Sequence, residues 1–250
     1  MSDFVKIERN GAVLSITLNR PDKKNALTGA MYETLIEAFN EADTDSAIGA
    51  IVIAGSGGCF TAGNDIGDFL SNAGSEMDQF PALKFIRRLA ILDTPVVAAV
   101  QGVAVGVGTT MIFHCDLVYA THSAMFRMPF VDLGLVPEAG SSFFVPQLFG
   151  LQKAGELLLG DAFNAEEAHR LGVVNAIVGE HEVQGFAMER AHRLAAKPRN
   201  ALAATRRLIR GDRDALLARI DEEARLFGRH MRSAEAQNAF AAFMQKGKSK

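Results

Sequence analysis

The chain has 250 residues, 48% of them hydrophobic, which is enough for one large domain or a domain with a small appendage. Its 26 Lys and Arg against 29 Asp and Glu leave a formal net charge of -3, so there is no broad basic field and a nucleic-acid partner is disfavoured. The two cysteines, Cys59 and Cys115, lie far apart without metal-ligand spacing and fit a reducing compartment rather than a disulfide framework.

The N-terminus is charged from the start and has no signal-peptide pattern. The longest apolar stretch, 96–107, is glycine-rich and falls short of the ~18 residues of a membrane helix. The expected location is therefore the cytoplasm, with no membrane association.

Along the chain, residues 4–8 and 13–18 alternate as half-buried strands. Thr28 is placed to cap a helix carrying Met31, Leu35, Ile36 and Phe39 on one face. Residues 50–54 read as a fully buried strand, followed by glycines and then a polar stretch, 64–76, whose Gly and Ser content suggests mobility. A helix is expected over 78–92, ending before Pro95, then a second buried strand over 96–100, a helix over 109–115 and a strand over 116–120. Asn164 to Glu167 resembles a capping box, and 173–178 reads as a last strand. Helices are predicted over 181–196, 198–210, 213–228 and 234–246, with Pro198 in a first turn. Strands alternating with helices and then helices alone indicate an α/β core, 1–195, with a helical C-terminal region, 196–250.

A weak internal repeat stands out. Residues 51–65 and 97–110 each run from a buried strand through a glycine-studded loop toward a helix. Such junctions present free backbone N–H groups, and glycine lets a ligand approach closely. Two of them side by side could hold one oxyanion. The glycine spacing matches neither a P-loop nor a dinucleotide-binding turn, and taken singly each loop reads as a tight turn.

At these loops the chain resembles the enoyl-CoA hydratase/isomerase (crotonase) superfamily. Cys59-Phe-Thr-Ala-Gly-Asn-Asp-Ile66 resembles its Phe-x-Ala/Ser-Gly-x-Asp-Leu/Ile motif. Pro95-Val-Val-Ala-Ala-Val-Gln-Gly102, Ala104-Val-Gly-Val-Gly108 and Cys115-Asp116 resemble its second signature, and Met128-Pro129, Leu133-Gly-Leu-Val-Pro137, Glu156 to Gly160, Gly172 to Asn175 and Asn19 to Leu27 continue the match in order. The resemblance implies a spiral of strand–strand–helix units, a C-terminal helical region that helps form a homotrimer or a dimer of trimers, and an acyl-CoA thioester substrate. Coenzyme A is then part of the substrate, and no cofactor or metal is expected.

By position, the resemblance makes the N–H groups of Ala62 and Val107 the oxyanion donors. It makes Lys24 and Ala26, the segment Ala62, Gly63, Asn64, Asp65 and Ile66, and Gly106 the substrate and CoA contacts. Phe243 and Lys246 resemble the C-terminal Phe and Lys that reach CoA, in their own or a neighbouring subunit.

The superfamily shares a thioester grip, not one reaction. The two positions that carry the hydratase glutamates are Thr110 and Phe130 here, and neither exchanges a proton near neutral pH. Glu138, after Pro137, is similar to the Pro-Glu pattern of Δ3,Δ2-enoyl-CoA isomerases and stands among apolar residues that would raise its pKa. The other role open to Glu138 is at the N-terminus of a helix over 139–149. The expected function is double-bond isomerisation with Glu138 as the catalytic acid/base. The alternatives are hydration or thioester hydrolysis on the same scaffold, or a non-catalytic CoA-binding protein.

Overall fold

The computed structural model describes residues 2–71 and 77–248, the side chains of 246–248 excepted. Residues 72–76 of the stretch expected to be mobile lie outside the described residues, as does the side chain of Lys246.

A six-stranded sheet runs β1 (Val5–Asn10), β2 (Val13–Leu18), β3 (Ala50–Gly55), β4 (Val96–Val100), β6 (Leu117–Thr121) and β9 (Ala176–Val178). Only the β1–β2 hairpin is antiparallel. The apolar runs of β3 and β4 follow from burial on both faces. Ile51, Ile53, Val96 and Ala98 pack toward helices α1 (Gly29–Thr44) and α3 (Pro81–Ile91). Val52, Ala54, Val97 and Ala99 face helix α7 (Val183–Ala195) through Val183, Ala187 and Ala191.

Between these helices lie α2 (Ile66–Ser71), inside the stretch expected to be mobile, and α4 (Val107–Thr110), α5 (Ser141–Leu158) and α6 (Ala165–Arg170). Thr28 caps α1 by accepting from the Met31 N–H, and Asn164 caps α6 by accepting from Glu167.

A second sheet of β5 (Val103–Val105), β7 (Met125–Arg127) and β8 (Ala162–Asn164) has strands of three residues, too short to show a periodicity. The strand expected over 173–178 begins only at Ala176, because the N–H groups of Val173 and Val174 fold back onto the Ala168 carbonyl after α6. The helix expected over 109–115 begins at Val107 and tightens to a 3-10 turn at Met111–His114.

The helices α8 (Arg199–Arg210), α9 (Arg213–Met231) and α10 (Ala234–Lys248) complete the chain. Leu216, Ile220 and Phe227 of α9 and Phe240 of α10 join the main hydrophobic core, so these apolar positions are satisfied within the chain itself. The mostly parallel core with its helical C-terminal region is the crotonase arrangement expected from the sequence.

Candidate active site

The two glycine loops lie side by side. Thr61 pairs in parallel with Ala104, its N–H donating to the Val103 carbonyl at 3.0 Å and its carbonyl accepting from the Val105 N–H at 3.0 Å. Two glycines permit that approach. A Cβ on Gly63 would stand 2.6 Å from the Val105 carbonyl oxygen, and one on Gly108 would stand 2.6 Å from the Thr61 methyl.

The loops open onto a cavity of about 340 Å³. Of the residues expected at the site, Ala26, Ala62, Asn64, Asp65, Ile66, Gly106, Val107 and Phe243 line it. Phe240 and Phe243 reach it from α10 of the same chain.

One expectation is corrected by the backbone. The Ala62 N–H donates to the Lys24 carbonyl at 2.8 Å, so it is not free to hold an oxyanion. The Gly63 N–H goes to Thr61 Oγ1 and the Asp65 N–H to the Leu27 carbonyl. That leaves Asn64, whose N–H has no intramolecular acceptor among the described residues. The Val107 N–H, the first of α4 after Gly106 at φ +56, is likewise without an acceptor, as expected of a helix's first turn. Both residues line the same cavity, so the two unbonded N–H groups at these loops belong to Asn64 and Val107 rather than to Ala62 and Val107.

Lys24 closes a left-handed turn at φ 49 and does not line the cavity; its neighbour Lys23 does. Gly63 does not line it either, and its place is set by the Val105 contact. Asp65 is tied to Arg20 by an ion pair of 2.7 Å and bonds the Asp68 N–H, which fixes the start of α2. Asn25, buried, pins the same corner by donating to the Ser56 and Cys59 carbonyls.

Asn64, Phe69 and Phe227 also line a smaller chamber of about 30 Å³, and Glu138 faces it. Glu138 is buried, and desolvation pushes its carboxyl up to about 8. A hydrogen bond from Thr110 opposes that rise, and the carboxylate of Glu223 adds to it. The Thr110 hydroxyl donates to Glu138 Oε1 at 2.6 Å. The turn carrying Glu138 is left-handed at Ala139 (φ 59) and Gly140 (φ 70). His114 Nε2 meets the Ala139 carbonyl at 2.8 Å, and burial lowers the His114 pKa to about 4, so the ring is neutral and donates. Phe130 lines the cavity wall.

Glu138 does not occupy the N-terminus of α5. Glu223 does, accepting from the Gly140 N–H at 2.6 Å and the Ser142 N–H at 2.9 Å. Nothing in the sequence marked Glu223 or His114. Tyr32, also unmarked, donates to Asn64 Oδ1 at 2.5 Å, and burial raises its own pKa so that the hydroxyl stays protonated. Among the described residues no cluster of His, Cys, Asp or Glu could hold a metal ion, and no helix is long and apolar enough to cross a membrane.

A family model described as Enoyl-CoA hydratase/isomerase matches residues 8–250. The chain belongs to that family. It is 32% identical to 1,2-epoxyphenylacetyl-CoA isomerase of Escherichia coli (strain K12), with 98% of this chain and 97% of the relative covered. It is 33% identical to enoyl-CoA delta isomerase 2 of Rattus norvegicus, with 97% and 64% covered. The solved structure of Pseudomonas aeruginosa OdaA superposes with a TM-score of 0.94 at 42% identity, covering 97% of this chain and 99% of the other. Relatives named as enoyl-CoA hydratases match at 31–32% identity over similar lengths. The protein is thus an acyl-CoA-processing enzyme of the crotonase superfamily, and family membership alone does not select among its reactions.

Proposed function

We propose that this enzyme shifts the double bond of a 3-enoyl-CoA to the 2-position, with Glu138 as the only acid/base and the Asn64 and Val107 N–H groups holding the thioester oxygen. One observation carries the reading: among the described residues a single buried carboxyl faces the chamber that adjoins those N–H groups, while the two positions of the hydratase glutamates hold Thr110 and Phe130.

The ionised Glu138 takes a proton from C2. The electron pair moves through C2 and C1 onto the thioester oxygen, and the resulting dienolate lies against the two N–H donors. The carboxylic acid so formed gives its proton to C4 as the electron pair returns, leaving a C2=C3 double bond. No atom is gained or lost. A group whose pKa lies near the working pH is suited to both halves, since it neither holds nor refuses the proton strongly.

Hydration is the second reading, and the names of several relatives favour it. It needs a base for water and an acid for C2 around one water molecule. Here the Thr110 hydroxyl is already turned to Glu138, and Phe130 supplies no proton. The name enoyl-CoA delta isomerase 2 supports the isomerase reading by analogy.

On this reading coenzyme A enters with the substrate, no cofactor takes part, and the enzyme works in the cytoplasm as a trimer or a dimer of trimers. The test is a panel of 2-enoyl-CoA and 3-enoyl-CoA thioesters with products identified by mass. Isomerisation leaves the mass unchanged, and hydration adds a water. Faster hydration of crotonyl-CoA than isomerisation of any 3-enoyl-CoA would overturn the reading.

A further inference from the structure

Among the described residues two carboxyl side chains are buried, and the proposed chemistry uses one of them. The other, Glu223, is 4% exposed in the middle of α9. Burying a carboxylate is costly unless it is well bonded, and Glu223 is: it accepts from the Gly140 N–H, the Ser142 N–H and the Ser142 hydroxyl. These donors belong to the first turn of α5 and to the residue two beyond Glu138. The intervening Ala139 is held at positive φ without the freedom of glycine, a conformation that persists only where its surroundings enforce it. His114 holds the Ala139 carbonyl, and the Glu138 carbonyl accepts from both the N–H and the hydroxyl of Ser141.

We propose that Glu223 is a positioning residue for the Glu138 base: its carboxylate ties the turn that carries Glu138 to α9 and sets a second negative charge behind it. The proposal rests on the reading of Glu138 as the base. It gives the C-terminal helical region a part in the chemistry without touching substrate.

The groups facing Glu138 are few. Thr110 donates to it from α4, Tyr32 faces it from α1 with Asp68 of α2 beyond, and His114 stands behind Ala139. From α3 come only apolar side chains, Ala82, Leu83 and Ile86. Arg219, one turn before Glu223 on α9, reaches Ser142 Oγ at 3.4 Å and also neighbours Glu222. Among the described residues Glu223 is thus the one carboxylate that both fixes the turn and raises the Glu138 pKa. Burial pushes the Glu223 carboxyl itself up, while its bonds to Ser142 and Gly140 hold it down.

The test uses Glu223→Gln and Glu223→Asp in the full-length protein. Gln keeps the shape and removes the charge. The prediction is a kcat lowered about tenfold or more, as expected for a slightly misplaced base, with KM nearly unchanged and the acid limb of the kcat/KM profile moved to lower pH. Asp keeps the charge and retracts it, so kcat falls while the acid limb stays in place. An acid limb unmoved in Glu223→Gln, or wild-type kcat in Glu223→Asp, would overturn the proposal. The Glu138 carboxyl is also titrated without substrate by carbon-detected NMR, its signal assigned by loss in Glu138→Gln. That titration reads the Glu223 effect even if Glu138→Gln proves active and the isomerase reading falls.

Discussion

Thr110 Oγ1 donates a 2.6 Å hydrogen bond to Glu138 Oε1, joining residues 28 positions apart in the chain. Thr110 stands in the second glycine loop, where the resemblance implies a carboxylate in the hydratase branch; on the proposed reading the pair replaces two acids around a water by one acid and its hydrogen-bond donor. A donor to the ionised form favours ionisation and offsets part of the rise that burial causes.

Thr110→Val removes that donor at nearly constant volume. The Glu138 pKa should then climb further above about 8, and the acid limb of the isomerisation profile should move to higher pH with kcat reduced near neutrality. The pH dependence of kcat/KM checks this. A limb moving to lower pH would show that Thr110 does not stabilise the carboxylate.

Val107→Pro deletes one proposed oxyanion donor at the first position of α4, where proline is otherwise tolerated. Loss of such a donor is worth about 2.7–4 kcal/mol of transition-state stabilisation, so turnover should drop about 10²–10³-fold. Calorimetry should show acyl-CoA binding largely retained, because the remaining cavity wall is intact. Turnover within a few-fold of wild type would remove Val107 from the oxyanion pair.

The raised pKa of Glu138 has a stability counterpart. The folded protein keeps a proton that the unfolded chain releases above an ordinary value of 4.5, so this group's contribution is full below that pH and is lost as pH rises toward about 8. The loss amounts at most to on the order of 5 kcal/mol. Glu138→Gln carries no such penalty. Its melting temperature relative to wild type should therefore climb between pH 5 and 8 and level off above. A difference independent of pH in thermal melts would contradict the buried, protonated state.

Self-association is expected to use α8, where Leu208 is 85% and Ile209 78% exposed, rather than the α9 positions Leu216, Ile220 and Phe227, which are spent on the chain's own core. Light scattering should give a trimer or hexamer mass, and Leu208→Glu with Ile209→Glu should lower it. A concentration-independent monomer in the wild type would refute the expectation.

Much of this was readable along the chain. The continuous apolar runs of β3 and β4 announced strands buried on both faces, and the periodic apolar positions of α7 to α10 placed those helices to within a few residues. The lone glutamate after Pro137 was visible as a candidate acid. The short strands β5, β7 and β8 were not, because three residues carry no period. That the Ala62 N–H is already bonded, while the Asn64 N–H two residues on is free, was hidden for a related reason. Which N–H of 61–65 stays free depends on the Lys24 and Leu27 carbonyls across the cavity corner, a contact over about 40 residues that no local pattern encodes. Glu223 lies 85 residues from Glu138 and looks, in its Asp-Glu-Glu run, like any solvated helix face.

The central claim is that one carboxyl, Glu138, moves the proton from C2 to C4. The direct measurement is the rate of 3-enoyl-CoA to 2-enoyl-CoA conversion by wild type and by Glu138→Gln at saturating substrate, with acyl-CoA affinity determined on both. The amide keeps the shape of the side chain but cannot take the proton, so kcat should fall about 10²–10⁴-fold while affinity changes little. A variant retaining more than about a tenth of the wild-type rate would contradict the account, since loss of a general base does not leave that much.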